Sequence, residues 1–174
     1  MTITAGIDVG STYTKAVLLN DKDEILARYM VQTGFKLADA ARRCYDEILA
    51  SSGIRADQVE YLIATGFGRH QVDFKDLHVT DLTASARGAS LLFPGTRSIL
   101  DVGGQTMKAI RVEEGGQVLD RIDVEGYSPY ACTLGGPEMK TLFLCESAIL
   151  GLPRNPGDGR IRTIEVEVAG TGSP

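Results

Sequence analysis

The stretch AGIDVGSTYTKAVLL, residues 5–19, decides the fold. An apolar run that reads as a buried strand stops at Asp8-Val9-Gly10-Ser11-Thr12 and resumes at Ala16-Val17-Leu18-Leu19. Two β-rich runs around a carboxylate, a glycine and two hydroxyls predict a hairpin, with strands over Ile3 to Val9 and Lys15 to Leu19. Asn20-Asp21-Lys22-Asp23 supplies a second turn, and Glu24 to Val31 alternates as a third strand. Three consecutive antiparallel strands form a meander.

The period then changes. Leu37, Ala40, Ala41, Cys44, Ile48 and Leu49 share one helical face between Lys36 and Ala50, and Gly53 supplies the stop. Arg42 and Arg43 fall on the solvated side of that helix. Val59 to Ala64 reads as a short buried parallel strand that runs into Thr65-Gly66-Phe67-Gly68-Arg69. An alanine-rich helix is expected from about Leu82 to Leu92, ending at Pro94-Gly95. Ser98 to Val102 is a further apolar strand, and residues 106–112 and 117–124 make a hairpin around Glu113-Glu114-Gly115-Gly116. The order β-β-β-α-β-α-β-β-β predicts an α/β layer with a mixed sheet. Past Gly126, proline, glycine and tyrosine accumulate, no amphipathic helix is evident, and Arg160 to Val168 reads as a strand. Tyr127 and Tyr130 are expected to pack against the terminal strands.

Composition narrows the function. The chain has 174 residues, 43% of them apolar, and a net charge of -5, which argues against a nucleic-acid or anionic-membrane surface. No apolar run approaches the roughly 18 residues of a membrane span, and no signal-peptide pattern opens the chain, so the expected location is the cytoplasm. Cys44, Cys132 and Cys145 form no CxxC pair, against a zinc site or disulfide framework. His70 and His78 have no metal-ligand or triad context in the sequence.

Chemistry concentrates in two turns of one pattern: apolar strand, Asp, an apolar residue, Gly, polar residues, Lys. The first is Asp8-Val9-Gly10-Ser11-Thr12-Tyr13-Thr14-Lys15 and the second Asp101-Val102-Gly103-Gly104-Gln105-Thr106-Met107-Lys108. Glycine lets backbone N–H groups approach a phosphate, and successive N–H groups form an anion-binding concavity. Ser11 and Thr12 add hydroxyl donors, and Lys15 adds a positive charge. An aspartate at each strand end can hold Mg²⁺ through water. Facing each other, two such loops would clamp a triphosphate. One Asp-x-Gly hairpin is ordinary turn chemistry; two copies, each after a buried strand and each ending in lysine, favour phosphate binding. The motifs GxxxxGK[ST] and GxGxxG are both absent.

IDVGSTYTK and LDVGGQTMK resemble the phosphate-1 and phosphate-2 motifs of actin-like ATPases. The chain is most similar to the activator ATPases of 2-hydroxyacyl-CoA dehydratases and benzoyl-CoA reductases. ATGFGRHQV at 64–72 resembles the Thr-Gly-(aromatic)-Gly-Arg element of that family, and TASARGA at 83–89 precedes ILDVGGQ at its usual distance. The family usually has histidine where this chain has Ser85. The resemblance covers about residues 3–113 and implies an actin-like (ribonuclease H-like) half-domain. It also implies a homodimer that hydrolyses ATP to drive an electron into a CoA-ester dehydratase or reductase, through a [4Fe-4S] cluster shared between the two copies. By the same resemblance, Asp8 and Asp101 organise Mg²⁺. Gly10, Ser11, Thr12, Lys15, Gly103 and Gly104 hold phosphates, and Gln105 orients the attacking water.

The family continues into a Cys-Ala-Ala-Gly-Thr-Gly-Arg-Phe cluster loop and a second domain, and neither is recognisable here. A dimer offering Cys132 and Cys145 twice would supply four thiolates. Residues 116–174, and GGPEMKTLF above all, instead resemble the C-terminal end of the regucalcin/gluconolactonase propellers, whose metal ligands lie upstream of this segment. The expected organisation is therefore an ATPase N-terminal subdomain over 1–113 and a short β-rich segment over 114–174, joined as a chimera. Three functions follow: a nucleotide-binding ATPase portion of impaired activity, a noncatalytic interaction module, or a remnant of a metal-dependent lactonase.

Overall fold

The computed structural model describes residues 2–102, 107–122, 127–148, 158–167 and 169–170. The chain divides into two compact units, Met1–Ala84 and Ser85–Pro174.

In the first unit, β1 (Ile3–Val9), β2 (Tyr13–Asn20) and β3 (Ile25–Gln32) form the expected antiparallel meander. Asn20 makes the second turn with its side chain, whose Oδ1 accepts the N–H groups of Lys22 and Glu24. Helix α1 (Leu37–Ser52) follows, then β4 (Val59–Thr65), parallel to β1, and the two-residue β5 (Leu77–His78), parallel to β4. The sheet order is β3-β2-β1-β4-β5, a mixed sheet with β1 at its centre.

Period-two alternation sets the faces of this sheet. Ile3, Ala5, Ile7 and Val9 of β1 and Thr14, Ala16 and Leu18 of β2 are buried on the side that α1 covers. Ala41, Cys44, Tyr45 and Ile48 of α1 complete that core, with Leu62, Ala64 and Val72. Gly53 ends α1 in the left-handed region, at φ 71°, and its N–H donates to Leu49 O at 3.0 Å. Thr4, Gly6 and Asp8 therefore lie on the opposite face of β1.

In the chain beyond, α2 (Asp81–Leu92) leads to β6 (Ser98–Val102), β7 (Met107–Val112) and β8 (Val118–Arg121), an antiparallel sheet of order β6-β7-β8. Gly116, in the turn between β7 and β8, sits so close to α2 that a Cβ there would lie 2.8 Å from Ala86 O. Strands β9 (Tyr127–Gly135), β10 (Thr141–Ala148) and β11 (Arg160–Glu165) form a separate antiparallel sheet of order β11-β10-β9. Its buried positions include Leu142, Leu144 and, unusually, Glu146. Arg160 Nε donates to Glu146 Oε2 at 2.8 Å, and Arg162 Nε lies 2.8 Å from Oε1. The Arg160 guanidinium also stacks over the Tyr127 ring at 3.6 Å, so Tyr127 does pack against a terminal strand.

Three features add to or depart from the sequence reading. β5 is too short to show periodicity. β9 and β10 fall within the expected β-rich C-terminal segment, although their bounds were not assigned from the sequence. The strands after α2 build sheets of their own rather than extending the first.

Two predictions test this core. Ile48→Ala is expected to cost about 2–5 kcal/mol in denaturant unfolding, whereas Ile161→Ala, 69% exposed, should stay within about 0.5 kcal/mol. Burial pushes the Cys44 thiol from 9.0 up to about 11, with Arg43 opposing. Because the unfolded thiol ionises first, the stability linked to Cys44 is intact below pH 9 and is lost as pH rises toward 11. Urea midpoints at pH 8 and pH 10 should fall more steeply for the parent than for Cys44→Ala.

Candidate functional site

The first turn is fixed by strand pairing. Asp8 stands opposite Lys15 and Val9 opposite Thr14, with four residues, Gly10 to Tyr13, between the last positions that pair across the hairpin. Gly10 N–H donates to Tyr13 O at 3.2 Å, and a Cβ on Gly10 would lie 2.8 Å from that oxygen, so glycine is required for the turn to close. The Ser11 and Thr12 hydroxyls make no hydrogen bond among the described residues. Lys15 Nζ reaches Asp8 Oδ2 at 3.3 Å, with both side chains open to solvent.

In the second unit the same arrangement recurs. Asp101 stands opposite Lys108 and Val102 opposite Met107, again with four residues between the strands. Lys108 Nζ lies 3.6 Å from Asp101 Oδ2. The shared sequence pattern is thus a shared register: a strand-end aspartate, four residues between the last paired positions, and a lysine paired with that aspartate. Gly103, Gly104 and Gln105 lie outside the described residues. Ser85 Oγ donates to the same Asp101 oxygen at 3.1 Å. That contact was not legible in the sequence, where Ser85 was only a departure from a pattern.

The Thr65-Gly66-Phe67-Gly68-Arg69 turn adds a second wall to the Asp8 site. Thr65 is the register partner of Asp8 on the parallel strand β4. Gly66, at φ 85°, lies against the Asp8 carboxylate, and a Cβ there would also meet Val9 O at 2.7 Å. Gly68 N–H donates to Val9 O at 2.9 Å, and Arg69 Nη1 donates to Gly66 O at 3.0 Å. Asp8, Lys15 and Thr65 form the polar end of a trough of about 550 Å³ on the face of the sheet opposite α1. Gly6, Val17, Met30 and Ile63 supply its apolar floor.

Other candidates divide differently. The rings of His70 and His78 meet edge-on at 4.6 Å, and partial loss of water, with Arg69, His78 and Lys75 nearby, holds His70 below its usual value. Among the described residues no group of three or more His, Cys, Asp or Glu side chains converges as a metal centre. Arg42 is less free than a solvated helix face implies, since its guanidinium covers the Phe74 ring at 3.6 Å. Arg43 donates to Gln32 O at 2.8 Å. Cys132 stands opposite Leu144 and Cys145 opposite Ala131, so the two thiols leave opposite faces of the terminal sheet. They do not converge on one cluster, and burial, with Cys145 adding, pushes the Cys132 thiol up, away from a thiolate ligand. A water-bridged Mg²⁺, which needs only one or two carboxylates beside phosphate oxygens, does fit Asp8.

A mixed sheet of this order, with an aspartate and a glycine turn at the end of its central strand, defines an α/β nucleotide-phosphate fold of the actin-like class. The chain belongs to the BadF/BadG/BcrA/BcrD ATPase family, whose sequence profile matches residues 5–125. It is 37% identical over 115 residues to the activator of lactoyl-CoA dehydratase of Anaerotignum propionicum, covering 66% of this chain and 44% of that protein. It is 36% identical over 113 residues to the (R)-2-hydroxyglutaryl-CoA dehydratase activating ATPase of Acidaminococcus fermentans, covering 64% of this chain and 43% of that protein. Among solved structures, the activator of 2-hydroxyisocaproyl-CoA dehydratase from Clostridium difficile with bound ADPNP superposes with a TM-score of 0.67 at 26% identity, over 74% of this chain and 47% of that one. The chain spans less than half the length of each of these relatives. No helix among the described residues is long and apolar enough to cross a membrane.

The close approach at Gly66 is testable. Gly66→Ala places a methyl on the Asp8 carboxylate at a left-handed backbone position and is expected to cost about 2 kcal/mol or more in thermal unfolding. Gly34→Ala, also left-handed at φ 66° but with no atom near its Cβ, should cost less.

Proposed function

We propose that the chain binds the phosphates of Mg-ATP at its two Asp-x-Gly turns and is the N-terminal portion of an activator-type ATPase. In that reading, ATP hydrolysis drives an electron into a CoA-ester dehydratase or reductase, and the active form is a homodimer. The observation that carries it is the repeated register, in which Asp8 pairs with Lys15 and Asp101 with Lys108 across antiparallel strands. The family membership and the activator relatives support it.

Each residue has a task. The hydroxyls of Ser11 and Thr12 donate to phosphate oxygens, because the Gly10 N–H already serves the turn. Lys15 turns from Asp8 to the phosphate, which frees the carboxylate to hold metal-bound water; Lys108 and Asp101 act alike. Gly103 and Gly104 are assigned to phosphate binding and Gln105 to orienting the attacking water. Mg²⁺, when bound, neutralises charge on the phosphate oxygens. The [4Fe-4S] cluster of the resemblance has no matching ligand set in Cys132 and Cys145, and no step is assigned to it. With few residues recognisable for the adenosine moiety, hydrolysis is expected to be slow and base selectivity weak.

A second reading rests on the trough, whose floor includes Met30, 57% exposed. There the chain would act as an interaction module.

Calorimetry with Mg-ATP separates the two. Binding by the parent that weakens about tenfold or more in an Asp8→Ala, Asp101→Ala double variant supports the ATPase reading. No binding by the parent at millimolar nucleotide overturns it.

A further inference from the structure

The Thr65-Gly66-Phe67-Gly68-Arg69 turn contains a hydroxyl for which the phosphate reading gives no task. Thr65 and Asp8 are register partners on adjacent parallel strands, so their side chains leave the same face of the sheet, into the same trough. Thr65 Oγ1 is buried and has no hydrogen-bond partner among the described residues. A buried hydroxyl without a partner destabilises the fold that carries it, and a bound ligand that supplies the partner relieves that cost. The surroundings limit what that ligand can be. Asp8 has one oxygen against Gly66 and the other at Lys15, so its carboxylate is held in one orientation beside the hydroxyl. The rest of the trough lining is largely apolar, with Arg28 among it, and no side chain there hydrogen-bonds Oγ1.

We propose that Thr65 is a positioning residue of the Asp8 site, its Oγ1 hydrogen-bonding a water that Asp8 holds in the shell of Mg²⁺ bound with ATP. The assignment rests on the Mg-ATP reading above. It gives β4 a direct part in a site otherwise built from the β1–β2 hairpin. It also explains why a β-branched polar residue stands where the strand pattern alone would accept valine.

Thr65→Val keeps the shape and β-branching and removes only the hydroxyl, and Thr65→Ser keeps the hydroxyl. The measurements are the thermal midpoint without ligand, the Mg-ATP affinity, and the Mg²⁺ concentration that half-saturates ATP binding. Thr65→Val is expected to melt no lower than the parent, to bind Mg-ATP about tenfold more weakly, and to need about tenfold more Mg²⁺ for half-saturation. Thr65→Ser should return both binding values to within about twofold of the parent. If the parent binds Mg-ATP and Thr65→Val binds it equally well, the assignment fails while the ATPase reading stands. An unchanged Mg²⁺ requirement, or a lower melting point for Thr65→Val, overturns it too, since either marks a purely structural hydroxyl. If the parent binds no Mg-ATP, both readings fall together.

Discussion

The end of β1 is gripped from both sides by backbone and charge. On one side Lys15 pairs with Asp8 across the hairpin; on the other, Gly68 N–H bonds to Val9 O and Gly66 presses against the carboxylate. Neither glycine has room for a Cβ, so β4 and the turn after it approach β1 more closely than any side chain would allow. Because β1 is the central strand, this approach fixes the floor on which α1 packs and the direction in which Asp8 points. The Gly66 contact holds one oxygen of that carboxylate even when Lys15 leaves the other, and a site that reorganises less loses less free energy when a charged ligand arrives.

The second unit reaches the same hairpin without the same support. Asp101 and Lys108 repeat the register of Asp8 and Lys15, but the side-chain contact that completes the carboxylate's surroundings is a serine on a helix, Ser85, rather than a glycine turn on a parallel strand. Two identical local solutions thus stand in different tertiary settings. Register is a local property, set by turn length and by which face of each strand is buried, whereas the second wall depends on which element the chain brings alongside.

That distinction also decides what the sequence could disclose. The meander, α1 with its Gly53 cap, β4 and α2 were all legible, because period-two and period-3.6 patterns and glycine stops are written in contiguous residues. The Asp–Lys pairs were legible for the same reason, each pair being seven residues apart. Gly66 and Gly68 were visible as a motif, but that they close on Asp8 follows only from parallel pairing of strands separated by α1. β5 needed two residues and a neighbour, and β9 and β10 were expected only as part of a β-rich segment, their bounds blurred by prolines and glycines. The placement of Cys132 and Cys145 on opposite faces could not be read before those strands were known to pair.

The terminal sheet has its own constraint, in the carboxylate of Glu146. Its side chain is 0% exposed, Arg160 stands directly across the ladder from it, and Arg162 sits two residues along on the same face. Were β11 to slip by one residue against β10, both guanidiniums would move to the opposite face and a charge would be buried alone, at a cost of about 3–5 kcal/mol. An apolar residue at that position would tolerate either alignment; a buried anion tolerates one. The ion group therefore acts as an alignment key for the last strand, selecting one pairing among near-equals even where it adds little to the stability of that pairing.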